Sequence, residues 1–431
     1  MDDSTPSAGD PTDSQSVPVD TSSSRTGFSR TFMSLGQPAY RNLWIGMLLQ
    51  GGGQQMAVFT RGYLVFELTG SATLLGIVAG AMSLPIVTLG AFAGVLADRM
   101  DKRRMMQMAQ ALSLVSALGL GLAMTMGVMT WVYLLIAALA QGVVIAFLMP
   151  TRQAVIPQLV PKEYLTNAVA LSSMGMSITW MVAPALAGGL IGVIGAEGVF
   201  YVMAGMHVCV IVLTGFLPPL GNANEARGSF LQDLADGFRY VRSMPEIRLL
   251  LLLAFSATLF SEPLRSILPV FAKEIFDVGS GGLGIMLSTM GAGGVVGAVV
   301  IAGASKAERR GIRLILAGLL TGTMLLGFSL VSSLAPVFWL GIGFLAVIGT
   351  TQPVRMTLNN SLMLDYADPK FRGRVISILF LGMGLVPAAA IPLGILTDAF
   401  GAPLALAAMA GCMITLVGTL FVSSRVLRSI Q

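Results

Sequence analysis

The sequence predicts an all-α integral membrane protein with twelve transmembrane helices in two parallel six-helix repeats. Composition is the first reason. Hydrophobic residues make up 55% of the 431 positions and charged residues 11%, so water cannot be the solvent for most of the folded surface. Spacing is the second. About twelve apolar runs follow one another from residue 41 onward, each near the roughly 20 residues that a helix needs to cross ~30 Å of hydrocarbon. The alternating short strands of a membrane barrel are absent. Repetition is the third. Gly94 to Arg104 (GVLADRMDKRR) is a charged hairpin between two apolar runs, and Gly303 to Arg310 is a degraded copy of it 209 positions later. Leu75-Gly76-Ile77 returns at 283–285, Pro150-Thr151-Arg152 as Pro353-Val354-Arg355, and Gly188 through Ala196 as Gly394 through Ala402. Offsets this constant point to a duplicated bundle whose halves run parallel.

In chain order, residues 1–38 are rich in Ser, Thr, Asp and Pro and read as a disordered cytoplasmic tail. No charged n-region precedes an apolar run there, so this is not a secretory signal. Residues 39–217 form the first six-helix bundle. Its spans fall at about 42–66, 73–97, 105–127, 131–152, 165–192 and 198–217. Residues 218–248 form a cytoplasmic linker. Ser229 and Gln232 have capping-box spacing, and Phe230, Leu234, Phe238 and Val241 mark one face of an amphipathic helix. Residues 249–425 form the second bundle, with spans at about 249–271, 282–303, 313–333, 337–360, 374–397 and 402–423; a tail, 426–431, closes the chain. With the N-terminus inside, all basic residues except Arg61, Arg265 and Lys273 fall on tails and cytoplasmic connections, Arg152 and Arg355 among them. That bias places both termini in the cytoplasm of a cell with this protein in its inner membrane.

Charges inside the hydrocarbon are the candidate chemistry. Glu262 lies about 20 Å into span seven and Arg265 about 24 Å. Such groups usually face a cavity. An isolated Glu262 could carry protons; paired at i and i+3 with Arg265, it would be structural. Pro263 between them predicts a bend. Arg61, about 27 Å into span one, either snorkels to the outer boundary or meets Glu262 or an anionic substrate across the cleft. Gly51-Gly52-Gly53 in span one invites close helix approach, as do Gly76, Gly80, Gly90 and Gly94 in span two. Cys209 and Cys412 read as small buried hydrophobes. The sequence holds no phosphate-binding loop of G-x-x-x-x-G-K-[ST] type, no metal-spaced cluster and no soluble catalytic domain. It is therefore read as no enzyme and as needing no cofactor. Its net charge of +5 is placed for topology and not for nucleic acid.

Four landmarks resemble the major facilitator superfamily of transporters, and within it the drug- and siderophore-export branch that contains macrolide and enterobactin exporters. They are Gly94–Arg104, Glu67-Leu68-Thr69-Gly70-Ser71, Pro150-Thr151-Arg152-Gln153-Ala154, and Asp368-Pro369-Lys370-Phe371-Arg372-Gly373-Arg374. The resemblance covers nearly all of residues 38–425 and implies the major facilitator fold. Two family motifs are altered. The export-type G-P-x-x-G-G of span five reads Ala183-Pro184-Ala185-Leu186-Ala187-Gly188, which keeps small packing residues. The arginine expected three residues before Gln141-Gly142 in span four is Ala138.

The resemblance also implies roles. Gly94, Asp98, Arg99, Arg103 and Arg104 would form a conformational latch against Arg372 and Arg374 at the start of span eleven; the plainer reading is that these charges only fix topology. Spans one and five would line the cavity, offering Gln54, Gln55, Met56, Phe59, Met174, Met176 and Trp180 to a substrate. His207, on a peripheral span, would be packed or hydrogen-bonded and not a proton relay. The expected function is secondary active export of a small amphipathic compound, drug-like or siderophore-like, by alternating access. Proton antiport is the expected energy source, with Glu262, Arg265 and Arg61 as coupling candidates. Expected partners are that substrate, membrane lipid, and protons or another coupling ion, with a monomeric chain. Importers and passive facilitators share the fold; a non-transporting scaffold or sensor would be expected to lose the polar cavity residues.

Overall fold

The computed structural model describes residues 33–90, 100–218, 230–303, 309–384 and 386–423. Among these, every regular element is helical. The first half contains α1 (Pro38–Thr69), α2 (Ala72–Gly90), α3 (Lys102–Thr125) and α4 (Trp131–Leu159). A long run, Leu165–Gly215, breaks at Gly195, whose φ of 72° and ψ of 171° no helix tolerates. It gives α5 (165–194) and α6 (196–215). A surface helix, α7 (Phe230–Ser243), leads to the second half. That half contains α8 (Pro245–Ile275), α9 (Gly279–Gly303), α10 (Arg310–Leu334), α11 (Phe338–Tyr366), α12 (Arg372–Gly384), α13 (Ala390–Phe400) and α14 (Ala402–Ser423).

Eight helices among the described residues are long and apolar enough to cross a membrane, with α5 and α6 counted as one run. α1 and α11 are not among them. Each carries polar side chains along its middle: Gln50, Gln54, Gln55 and Arg61 in α1, and Gln352, Arg355, Asn359 and Asn360 in α11. Neighbouring helices shield those faces from lipid, so they need not be apolar.

The two ends of the bundle differ. At one end the connections are short. All five glycines with positive φ among the described residues lie there: Gly70, Gly127, Gly195, Gly279 and Gly401. A left-handed residue without a Cβ reverses the chain at once. At this end the halves touch. α2 meets α13 so closely that a Cβ on Gly76 would lie 2.5 Å from the Ala390 carbonyl, and one on Gly80 would lie 2.7 Å from the Ile391 side chain. α5 meets α9 likewise, a Cβ on Gly284 falling 2.9 Å from the Pro184 carbonyl. Small residues on four-residue spacing permit this approach.

Polar contacts reinforce that closure. Ser71 caps α2 by accepting from the Leu74 N–H at 3.2 Å. Asp398, from α13 in the other half, accepts from the backbone N–H of Ala72 at 2.7 Å and of Thr73 at 2.9 Å, and from the Ser71 hydroxyl at 2.8 Å. A carboxylate on unpaired helix N-terminal donors is favoured by hydrogen bonding and by the helix dipole. Lys273 pairs with Glu67 across the same seam at 2.8 Å.

At the opposite end α7 docks on the start of α12. Tyr240 stacks on Phe371 with ring centroids 4.2 Å apart and accepts from the Asp368 N–H at 3.0 Å. Arg374 pairs with Asp236 at 3.5 Å. Val241 is buried and Phe238 exposed; Ser229, one member of the expected capping box, lies outside the described residues. Cys209 and Cys412 differ from expectation. Both are exposed, not buried, because α6 and α14 turn an apolar face outward, where a thiol behaves as one more small hydrophobe.

Candidate functional site in the central cleft

Two adjoining cavities, of about 320 and about 260 Å³, lie between the halves and share Met82, Trp180, Glu262, Val386 and Pro387. Glu262 sits at a break in α8. Pro263 has no N–H, so the helix ladder cannot continue through it. The Ser261 N–H bonds the Ala257 carbonyl at 2.9 Å, and the Glu262 N–H reaches the same oxygen at 3.2 Å. The chain re-enters a helix at Leu264. The bend that Pro263 predicts is present, and it turns the Glu262 side chain into both cavities.

Glu262 and Arg265 do not meet directly. Their nearest ion-pair distance is 4.0 Å, beyond hydrogen-bond range. Gln352 of α11 stands between them. Its Nε2 donates to Glu262 at 3.1 Å, and its Oε1 accepts from Arg265 at 3.0 Å. The Arg265 guanidinium also lies 5.2 Å over the Trp180 ring, from α5 of the other half, within cation–π range.

Arg61 does not snorkel. It is 5% exposed and donates to the Gln141 side chain and, at 3.4 Å, to the Ala137 carbonyl, both on α4. Burial of a guanidinium demands acceptors, and a side-chain amide on an adjacent helix supplies one without a second charge. Its described partners do not include Glu262, although both side chains line the smaller cavity. His207 is buried, its Nδ1 2.9 Å from Gln110 Oε1.

Gln54 lines a small pocket beside Arg61, Gln141 and His207. Gln55, Phe59 and Trp180 line the central cleft. Met56 is buried in the core. Met174 and Met176 are exposed and lie outside these cavity linings. Ala183 and Gly188 are buried on the face of α5 that meets α9, where Ser280 donates to the Gly188 carbonyl at 3.2 Å. Of the expected latch, Gly94, Asp98 and Arg99 lie outside the described residues. Arg103 donates to the Leu217 carbonyl at 3.1 Å, Arg372 to the Ala367 carbonyl at 3.3 Å, and Arg104 is exposed.

Two residues require correction. Arg152 and Arg355 are not on connections. α4 and α11 continue through them, because Pro150 and Pro353 are carried inside these helices. Arg152 donates to Gln50 of α1. Arg355, about 26 Å along α11, is 7% exposed and lines the larger cavity with Gln352, Asn359 and Asn360. The repeat that aligns Pro150–Arg152 with Pro353–Arg355 was the available signal: one arginine at the same place in both halves. Among the described residues no group of three or more His, Cys, Asp or Glu side chains could hold a metal ion.

A family model described as transmembrane secretion effector matches residues 29–430. The chain belongs to the transmembrane secretion effector family. Macrolide efflux protein A of Streptococcus pyogenes is 25% identical over 372 residues, covering 84% of this chain and 88% of that protein. The staphyloferrin A transporter of Staphylococcus aureus is 27% identical over 338 residues, covering 77% and 82%. A multidrug efflux pump of Mycolicibacterium fortuitum is 27% identical over 362 residues, covering 81% and 85%. Among solved structures, a nucleoside transporter superposes with a TM-score of 0.73 at 14% identity, covering 89% of this chain and 99% of that one. A bacterial homologue of the iron transporter ferroportin, inward-facing, gives 0.68 at 15%, covering 91% and 99%. The secretion effector has the major facilitator fold. It is a multi-pass membrane transporter and not an enzyme, and its substrates are small molecules.

Proposed function

We propose that this secretion effector is a secondary active exporter of a small amphipathic compound, working by alternating access with proton antiport through Glu262. The cleft carries the reading: its two cavities lie between halves that are sealed at one end by Asp398, Lys273 and the glycine contacts. With both termini in the cytoplasm of an inner-membrane protein, the sealed end is the outer one and the cleft serves the inner side. Residues 39–217 and 249–425 are then the two rocking units, twelve crossings in all, joined by the linker at 218–248 and acting as a monomer in lipid. In the opposite, inner-closed state Gly94, Asp98, Arg99, Arg103 and Arg104 would act as a latch against Arg372 and Arg374.

Glu262 suits proton coupling because a neutral amide, and not a cation, holds it at hydrogen-bond distance. Protonation then removes one hydrogen-bonded charge from the cleft without stranding a tightly paired partner. Arg265 and Arg61 set the field around it. The efflux names of the relatives support the direction. The test is dye uptake into inside-out vesicles with and without a pH gradient. Uptake that needs both the gradient and Glu262 supports antiport. Uptake down a concentration gradient alone, unaltered in Glu262→Gln, replaces it with passive facilitation.

A further inference from the structure

We propose that the substrate is an amphipathic organic anion, seated with its acidic group on Arg355 in the larger cavity. This rests on the transport reading above but goes beyond it by assigning the charge class and the residue.

Arg355 is the first ground. It is more than nine-tenths buried and lines the larger cavity. Its Nε and Nη1 have no hydrogen-bond partner; Glu262, which shares the cavity, acts on its charge from beyond ion-pair distance. A buried guanidinium is expensive to leave unpartnered, and each such orphan calls for an explanation. The arginine at the matching repeat position in the first half, Arg152, is provided with Gln50. Arg152 keeps one orphan nitrogen, Nε, beside that amide; Arg355 keeps two, at a cavity.

The balance of charge is the second ground. Three arginines, Arg61, Arg265 and Arg355, line the two cavities against one carboxylate, Glu262. A low-dielectric cleft with that excess attracts anions and repels cations. Polar acceptors beside Arg355 refine the chemistry. Asn359 Oδ1 and Asn360 Oδ1 also lack partners, so a ligand with hydroxyl or amide N–H groups next to its acid completes the site. The rest of the wall is apolar, with Leu253, Leu314 and Met356 among it, which suits a hydrophobic body. A guanidinium fork fits a carboxylate or similar oxyanion in two-point contact.

The test uses the full chain, purified, and two dyes on one xanthene scaffold: carboxyfluorescein as the anion and rhodamine 6G as the cation. Binding is read by fluorescence polarisation. Carboxyfluorescein is expected to bind more tightly than rhodamine 6G, and Arg355→Gln to weaken it at least about tenfold, the usual scale for a charged hydrogen-bonded contact. Arg355→Lys, which keeps the charge and loses the fork, should fall between. Arg152→Gln should leave carboxyfluorescein binding within about twofold, as expected for a residue outside the contact. Thermal melting of each variant separates loss of the site from loss of the fold. If Arg355→Gln does not fold, Asn359→Ala, which deletes an acceptor and keeps the charge, should still weaken binding. Tighter rhodamine binding, no carboxyfluorescein binding, or anion binding that survives in folded Arg355→Gln overturns the proposal. Rhodamine carried under a gradient without anion binding leaves export standing and removes the anion site. Carboxyfluorescein bound through Arg355 but never carried leaves the site and removes export.

Discussion

The two halves place an arginine at the same repeat position and treat it differently. Arg152 in α4 is held by Gln50 of α1 and keeps one unpartnered nitrogen, Nε. Arg355 in α11 is left with two unpartnered nitrogens at a cavity wall. The contrast extends further. In the first half Arg61 has Gln141 and His207 has Gln110, each cation or imidazole matched to a neutral amide. In the second half one amide, Gln352, is shared between Glu262 and Arg265, while Asn359 and Asn360 keep orphan oxygens. Duplication supplied both halves with buried polarity. Orphan polar atoms occur in both halves, Arg152 Nε and Gln110 Nε2 among them, but in the second half Arg355, Asn359 and Asn360 gather theirs along one wall of the larger cavity.

This contrast can be broken by substitution. The largest effect is expected at the shared amide network. Glu262→Gln should cut gradient-driven dye accumulation in inside-out vesicles on the order of 100-fold, as loss of a proton-transfer group does. Retained gradient dependence would place the coupling group elsewhere. Next is Gln50→Leu, which should leave Arg152 unpaired and lower stability by about 1–3 kcal/mol. The melting temperature in detergent should fall, and Arg152→Leu in the same background should recover part of it. An unchanged melting point would mean that the first half does not depend on this pairing.

Effects of the same size or smaller are expected at the seam. Gly76→Val puts a branched side chain against the Ala390 carbonyl, and overpacking of this kind costs about 1–3 kcal/mol. It should disfavour the sealed end and slow disulfide formation between cysteines placed at Glu67 and Lys273. Asp398→Asn keeps the shape and removes the charge at the α2 N-terminus. It should weaken the same cross-link more mildly, by about 0.3–1 kcal/mol, the usual worth of a helix-dipole contact. Equal cross-linking rates in wild type and both variants would show that neither contact holds the end shut. The smallest effect is at His207. His207→Gln should alter transport less than about twofold, as for a satisfied structural hydrogen bond, and a large change would restore it as a proton relay.

Much of the architecture is legible because hydrocarbon imposes a length on every crossing. The helical bundle, the internal repeat, the break at Pro263 and the close approach at Gly76 and Gly80 all follow from local pattern. Partnerships are not local. Arg61 meets Gln141 across 80 positions, and nothing near Arg61 announces that amide. Arg355 counts with the cytoplasmic charges in the sequence reading although it falls within the run 337–360; in the fold it lines the cleft. Asp398 sits three residues before Gly401 and resembles an ordinary loop acid, yet its partners are the backbone donors of a helix in the other half.

The glycine-turned connections at the sealed end have a consequence for anything that approaches from that face. Among the described residues, the longest of these links is 126–130 and several are one to three residues. None contains Lys or Arg, and the basic side chain nearest them, Lys273, is occupied by Glu67. Trypsin, an antibody or a phage tail fibre would find almost no chain to grip. The opposite face offers Arg309, Lys370 and Arg372, all exposed. Trypsin added to right-side-out and inverted vesicles should therefore cut one population and spare the other, turning the plainness of one surface into a marker of sidedness.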